Sequence, residues 1–215
     1  MGGMEPIDAD SLGRQIRFIM EAGRLTAVLR QNTVTGGSRR ENSAEHSWHI
    51  ALMALVLGPL APPGTDICRV MSMLLLHDLV EIDAGDLFLY APEADQRRQD
   101  AAEQTAAERL FGLLPAGQES SVRALWAEFC ERETAEARFA RAMDRLQPIL
   151  LNHAAGGGTW RTHGVTADQV LGKVRLIADG SPALGSYARG LVEDAVRQGF
   201  LTGNLPAGPR PATGA

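Results

Sequence analysis

Apolar residues recur three and four positions apart along most of this chain, and that spacing predicts helices. The first is expected from Asp8 or Asp10, either of which can cap it, through Leu12, Ile16, Phe18, Ile19, Leu25, Val28 and Leu29 to about Arg30. QNTVTGGSRREN, residues 31–42, breaks the pattern and reads as a flexible loop ending in Arg39 and Arg40. Ser43 is expected to cap AEHSWHIALMALVLGPL, whose first turns carry His46 and His49 before the segment becomes wholly apolar. After Pro62, Pro63 and Gly64, a helix restarting at Thr65 or Asp66 runs through Val70, Met71 and Leu74 to His77 and Asp78, and Gly85 marks its end.

The second half continues the helical spacing. Amphipathic helices are expected over 93–114 and 119–131, followed by TAEARFARAMDRLQPILLNHA, capped by Thr134, in which Asp144 stands among Ala140, Ala142, Met143 and Leu146. Pro148 is expected to kink or loosen that helix because it lacks an amide donor. GGGTWRTHG, residues 156–164, reads as a flexible loop carrying Trp160, Arg161 and His163, either a plain connection or a cover for substrate. Two last helices are expected over 166–177 and 181–200, and the Pro/Gly/Ala-rich stretch 205–215 reads as a disordered tail. The pattern is that of an all-α fold in a single domain over 1–204, without internal repeats.

Composition narrows the partners. Hydrophobic residues make up 45% and charged residues 22% of 215 residues, the balance of a soluble globular protein with a sizeable core. A net charge of -5 offers no basic stripe for long nucleic acid, although a local arginine cluster can still hold one small phosphate. Cys68 and Cys130 form neither a CxxC pair nor a disulfide framework and read as packing residues in a reducing cytosol. Trp48, Trp126, Met53, Met71 and Met73 read as core. No signal segment or membrane-length apolar run is evident, so a cytoplasmic protein without a membrane partner is expected. A homodimer through apolar faces of outer helices fits the pattern, which does not locate the interface.

LLLHDLVEIDAGDL, residues 74–87, is where the chemistry concentrates. An apolar run delivers His77 beside Asp78, and a charge at a core boundary is costly unless paired or bound to metal. If the helix continues, Glu81 lies one turn on and faces the same cavity as a spare acid, with Asp83 and Asp86 following. His46, His77, Asp78 and Asp144 fall on three different expected helices and together make a sensible cage for one divalent ion. Two imidazoles and two carboxylates suit Mn, Fe, Co, Ni or Zn better than Ca, with Mg also open. Such an ion acidifies water, so the site can hydrolyse a phosphorus or carbonyl centre with a nearby acid to move protons. His49, one turn after His46, reads as a packed histidine outside the cage.

The order H…HD…D, carried by AEHSWH, HDLVEIDAGD and AMDR, resembles the HD-domain metal-dependent phosphohydrolases, and within them the branch containing the 5′-deoxynucleotidases. That resemblance covers roughly residues 30–155 and implies an HD-domain helical bundle with the metal site at its centre. Position by position, it implies His46, His77, Asp78 and Asp144 as metal ligands, Glu81 as the acid beside the activated water, and Asp86 as an acid contacting the nucleoside sugar. Where that branch orients phosphate with an Arg-Trp pair, this chain has the loop QNTVTGGSRREN, which contains no tryptophan, and Arg30, Arg39 and Arg40 are the candidates for that role. The implied substrate is a small phosphorylated molecule, a nucleoside 5′-monophosphate cleaved as a phosphomonoester. The alternatives are a phosphodiesterase, a (p)ppGpp-type pyrophosphohydrolase, or a helical protein that binds metal or nucleotide without turnover.

Overall fold

The computed structural model describes residues 9–203, so the expected cap Asp8 and the tail 205–215 lie outside the described residues. Helices dominate: α1 (Ala9–Ala22), α2 (Ser43–Leu57), α3 (Ile67–Leu76), α4 (Glu81–Ala84), α5 (Glu93–Phe111), α6 (Ala116–Glu131), α7 (Ala135–Ala154), α8 (Gly158–Thr162), α9 (Ala167–Gly180) and α10 (Pro182–Arg197). The one sheet among the described residues is an antiparallel hairpin, β1 (Leu29–Thr33) and β2 (Arg40–Asn42), with Leu29 opposite Asn42 and Thr33 opposite Arg40. No helix among the described residues is long and apolar enough to cross a membrane.

The first helix is shorter than its apolar spacing implies. It stops at Ala22, a 3-10 turn follows over Gly23–Ala27, and Val28 opens an extended strand. Two residues explain the hairpin that replaces the expected loop: Gly36 and Gly37 adopt φ of 92° and 72°, which lets the chain reverse where side chains would be strained. The apolar stripe of α1 does not enter the core, since Leu12, Ile16, Ile19 and Met20 are 49%, 50%, 60% and 72% exposed. Arg14 instead anchors this helix, donating to the carbonyls of Gly112, Leu113 and Leu114 just past the end of α5. A second outward stripe, Trp48, Leu52, Leu55 and Val56, runs along α2, so Trp48 is not the core residue its type implies.

Helix α7 is the axis of the bundle and packs against α2, α3, α6, α9 and α10. Phe139, Ala140, Met143 and Leu146 are fully buried there, joined by Ile50, Val70, Met73, Leu74, Val174 and Ile177. Gly180 makes the closest approach possible: a Cβ at that position would meet the Arg138 carbonyl at 2.4 Å, so α9 ends directly against α7. Pro148 does not end α7, which runs through it to Ala154. A smaller core gathers Leu25, Leu79, Val80, Leu110, Phe111 and Trp126 beneath α4, α5 and α6.

Several helix starts follow the sequence closely. Asp66 accepts from the Arg69 amide, Thr134 from Ala137, and Thr166 forms a capping box with Gln169. At α2, however, the cap is Asn42, which forms a capping box with Glu45, and this frees the Ser43 hydroxyl for other work. The GGG segment also becomes ordered structure: it closes α7 and starts the short α8, with Trp160 buried, while Arg161 and His163 stay exposed. Both cysteines are exposed, contrary to a packing role.

Candidate metal centre and its cleft

His46 is held by the first turns of α2, His77 caps the C-terminus of α3, Asp78 follows it, and Asp144 projects from the middle of α7. All four are buried. Potential ligand atoms of His46, His77 and Asp144 lie within 4.8 Å of one another. Asp78 completes the group, with Oδ1 2.8 Å from His77 Nε2 and Oδ2 3.8 Å from His46 Nε2. Asp144 Oδ1 is 3.3 Å from His46 Nε2 and 4.0 Å from His77 Nε2.

The donor set fits a divalent cation. His77 Nδ1 is 2.8 Å from the Leu74 carbonyl, so the hydrogen there donates to the backbone and Nε2 carries the lone pair that faces the carboxylates. That Nε2 makes no hydrogen bond despite its close Asp78 neighbour, the arrangement of two ligand atoms aimed at a common point. Burial, reinforced by Arg30, pushes His46 down to about 4 and keeps its imidazole neutral. His77 moves the other way, because Asp78 and Asp144 outweigh the effect of burial. Burial also raises Asp78, but His77 and Arg30 overcome it and hold that carboxylate at about 2. Asp144 is likewise held low, by Arg145 and the two histidines against the effect of burial. Two ionised carboxylates and two imidazoles therefore face one point.

Glu81 is not one helical turn along a continuous helix, as the spacing suggests. The chain turns through Leu79 and Val80, with Glu81 N donating to the Asp78 carbonyl at 2.9 Å, and Glu81 begins α4. It still arrives beside the cage, buried, where burial and the neighbouring Asp78 raise its pKa well above the usual carboxylate range. The Ser43 hydroxyl donates to Glu81 Oε2 at 2.6 Å and fixes its orientation. Of the two acids after it, Asp83 turns away to pair with Arg109 at 2.8 Å, whereas Asp86 faces the cleft.

Arg30 reaches this cluster from β1. Its Nη1 donates to Asp78 Oδ2 at 2.9 Å and lies 3.6 Å from Asp86 and 4.0 Å from Glu81, while its Nε is 3.7 Å from Glu41. Arg39 and Arg40 do not come with it. Both are exposed on the hairpin, Arg39 paired with Glu45 and Arg40 spent on the carbonyls of Leu29 and Arg30. His49 also stays outside, 3.4 Å from Gln147.

The cage floors a cleft of about 520 Å³ that sequence reading only half described. Arg30, Asp86 and Glu81 line it. Arg132, Arg141, Arg145 and Lys173 line the same cleft, and no motif had pointed to them. The available signal was the i, i+4 spacing of Arg141 and Arg145 around Asp144, which puts both on the face of α7 that carries the ligand. Two further residues belong to the site: Glu41, buried and accepting from Gln147 at 2.6 Å, and Ser43, which supports Glu81 instead of capping its helix.

An all-helical domain that gathers two imidazoles and two carboxylates around one buried point, beneath a cleft with its own cationic wall, is a metal-binding helical bundle by class. The chain belongs to the HD domain family, whose model matches residues 22–185. It is 29% identical over 157 residues to the 5'-deoxynucleotidase HDDC2 of Bos taurus, covering 70% of this chain and 73% of that protein. Over 136 residues it is 26% identical to the human 5'-deoxynucleotidase HDDC2, covering 63% and 65% of the two chains. Among solved structures, a predicted metal-dependent phosphohydrolase from Magnetospirillum magnetotacticum is 51% identical and superposes with a TM-score of 0.88, covering 93% of this chain and all of that one. A conserved hypothetical protein from Pyrococcus furiosus, 20% identical with a TM-score of 0.58 over 85% of this chain and 99% of its own, shares the fold.

Proposed function

We propose that this chain is an HD-domain metal-dependent phosphohydrolase that releases phosphate from nucleoside 5′-monophosphates. The observation that carries this reading is the convergence of His46, His77, Asp78 and Asp144 on one point with the high-pKa acid Glu81 beside them. The 5'-deoxynucleotidase relatives support a nucleotide substrate, and the metal-dependent phosphohydrolase neighbour supports the reaction class.

In this reading His46, His77, Asp78 and Asp144 hold one divalent ion of the Mn, Fe, Co, Ni, Zn or Mg type, which would supply Lewis acidity at the phosphoryl group and lower the pKa of water. Leu74 holds His77 in the tautomer that presents Nε2. Glu81 handles the proton of the attacking water: burial next to Asp78 brings its pKa towards working pH, where an acid can both take up and return a proton. Ser43 keeps that carboxyl pointed at the cage. In the same reading Asp86, which lines the cleft 3.6 Å from Arg30, meets the sugar hydroxyls, and Arg30 keeps the neighbouring acids in register.

The outward apolar stripes of α1 and α2 are the surfaces we assign to a homodimer, and the two free cysteines suit a cytoplasmic setting. The deciding experiment is a phosphate-release screen of purified protein over nucleoside 5′-monophosphates, cyclic nucleotides, nucleoside polyphosphates and simple phosphate esters, with Mn²⁺, Co²⁺, Mg²⁺ and Zn²⁺ in turn. Release from 5′-monophosphates alone supports the reading, and turnover confined to cyclic or pyrophosphate substrates replaces it.

A further inference from the structure

Four cations meet on one wall of the cleft with almost nothing to neutralise them. Arg141 and Arg145 come from α7, Lys173 from α9, and Arg132 from the end of α6. Arg145 Nε lies 3.6 Å from Asp144 Oδ2, too far for a good hydrogen bond, and this is the only ion pair of the four among the described residues. The Nε atoms of both Arg141 and Arg145 are buried without any hydrogen-bond partner. Arg141 merely overlies the Phe129 ring at 6.0 Å, and Lys173 Nζ the Tyr90 ring at 5.8 Å. Asp100 and Glu103 of α5 line the same cleft, but neither bonds to the cluster, and Glu103 instead accepts from Gln99.

Such an arrangement is unfavourable for folding alone. Burial and the neighbouring Arg145 push Lys173 down to about 8, and the same two causes bring Arg141 to about 9, so both remain charged at neutral pH while repelling each other. Arg132 adds a backbone cost: it occupies the left-handed region at φ 64°, the only residue other than glycine to do so among those described, at a helix end where glycine is the usual choice. Unpaired buried donors and strained backbone at one spot are the marks of a site that waits for a ligand.

We propose that Arg132, Arg141, Arg145 and Lys173 form the phosphate-gripping subsite of this enzyme and that their charge selects a dianionic phosphomonoester over a monoanionic phosphodiester. This rests on the phosphohydrolase reading for the identity of the substrate but not for the existence of the anion site. Arg30 does not serve equally well, since four carboxylates surround its guanidinium. The cluster sits beside Asp144, so a phosphate held there abuts the cage, and guanidinium groups can engage two of its oxygens at once.

The test uses the full chain stripped of metal with a chelator, so that phosphate held only by an ion is not counted. Calorimetric titration with inorganic phosphate should detect binding to the wild type and little with dimethyl phosphate. Arg141→Gln and Lys173→Gln should each weaken phosphate binding about ten- to a hundredfold, the range of a lost charge-assisted hydrogen bond. Their melting temperatures should stay level or rise, because each removes a repelling cation, whereas a structural role predicts a fall. Wild-type phosphate affinity in both variants, or no binding to the metal-free wild type, overturns the proposal. With metal restored, the variants should raise KM for a 5′-monophosphate more than they lower kcat. If the enzyme hydrolyses no nucleotide yet the variants lose phosphate binding, the subsite stands and only the substrate assignment falls.

Discussion

Replacing Arg30 with methionine removes one positive charge from the centre of four carboxylates while keeping a similar length of apolar stem. The Arg30–Asp78 contact at 2.9 Å alone is worth about 6 kcal/mol at an effective dielectric of about 20. Desolvation of a buried ion opposes this by several kcal/mol, so the net loss expected in chelator-treated Arg30→Met is about 3–5 kcal/mol near pH 8. The loss must also depend on pH. Burial raises Glu41 to about 7 and lifts Glu81 and Asp86 as well, and in all three Arg30 acts in the opposite sense. A carboxyl whose folded pKa lies above its unfolded value binds more protons when folded, so its contribution to stability declines as pH rises through that window. Without Arg30 these pKa values climb further, which makes the variant's deficit larger at pH 8 than at pH 5, where the acids can take up protons and relieve the repulsion. Urea denaturation of wild type and variant at both pH values reads the difference directly. A deficit below about 1 kcal/mol at both, or one that is equal at both, would refute the view that Arg30 is the counter-charge of this wall.

Glu81→Gln keeps shape and the Ser43 contact but cannot accept a proton, so kcat should fall about 10²–10⁴-fold with metal content intact; wild-type turnover at full metal occupancy removes Glu81 from proton transfer. Asp144→Ala should lower metal occupancy in elemental analysis and abolish the rise in melting temperature that added metal gives the wild type, since the ion stabilises only the folded form. An unchanged metal content would take Asp144 out of the cage. Gly180→Ala should destabilise by about 1–3 kcal/mol, because the added Cβ meets the Arg138 carbonyl at 2.4 Å and Ala142 Cβ at 2.8 Å; equilibrium unfolding at the wild-type midpoint would show that α9 can move aside.

The residues legible in sequence were those whose chemistry conflicts with their setting. His46, His77 and Asp144 stand out because polar ligand types interrupt apolar helical runs, and each is buried in the structure. Helix starts at Asp66, Thr134 and Thr166 were equally readable, since a capping side chain acts within three residues. Periodicity misled where tertiary context chose the partner. The stripe of α1 has helical spacing but faces outward, and Leu25, near the end of the same run, is buried only because a 3-10 turn redirects the chain. The hairpin escaped notice because its strands are short and mostly polar, leaving only Gly36 and Gly37 as evidence of a turn.

The basic wall of the cleft was hidden for a different reason. An arginine every three or four positions on a helix ordinarily marks a solvated face, and nothing local distinguishes Arg141 and Arg145 from Arg138, which is likewise half-buried but donates to the Glu133 carbonyl. What separates them is the packing of α6 and α9 against α7, which brings Arg132 and Lys173 into the same cleft. Like charges assembled from three helices cannot be inferred from the spacing within any one of them. Arg30 is already committed to Asp78, Glu81, Asp86 and Glu41, and the cations of α6, α7 and α9 have only the long Arg145–Asp144 contact among the described residues. A dianionic substrate supplies the counter-charge, which accounts for cations that the folded chain alone leaves unpaired.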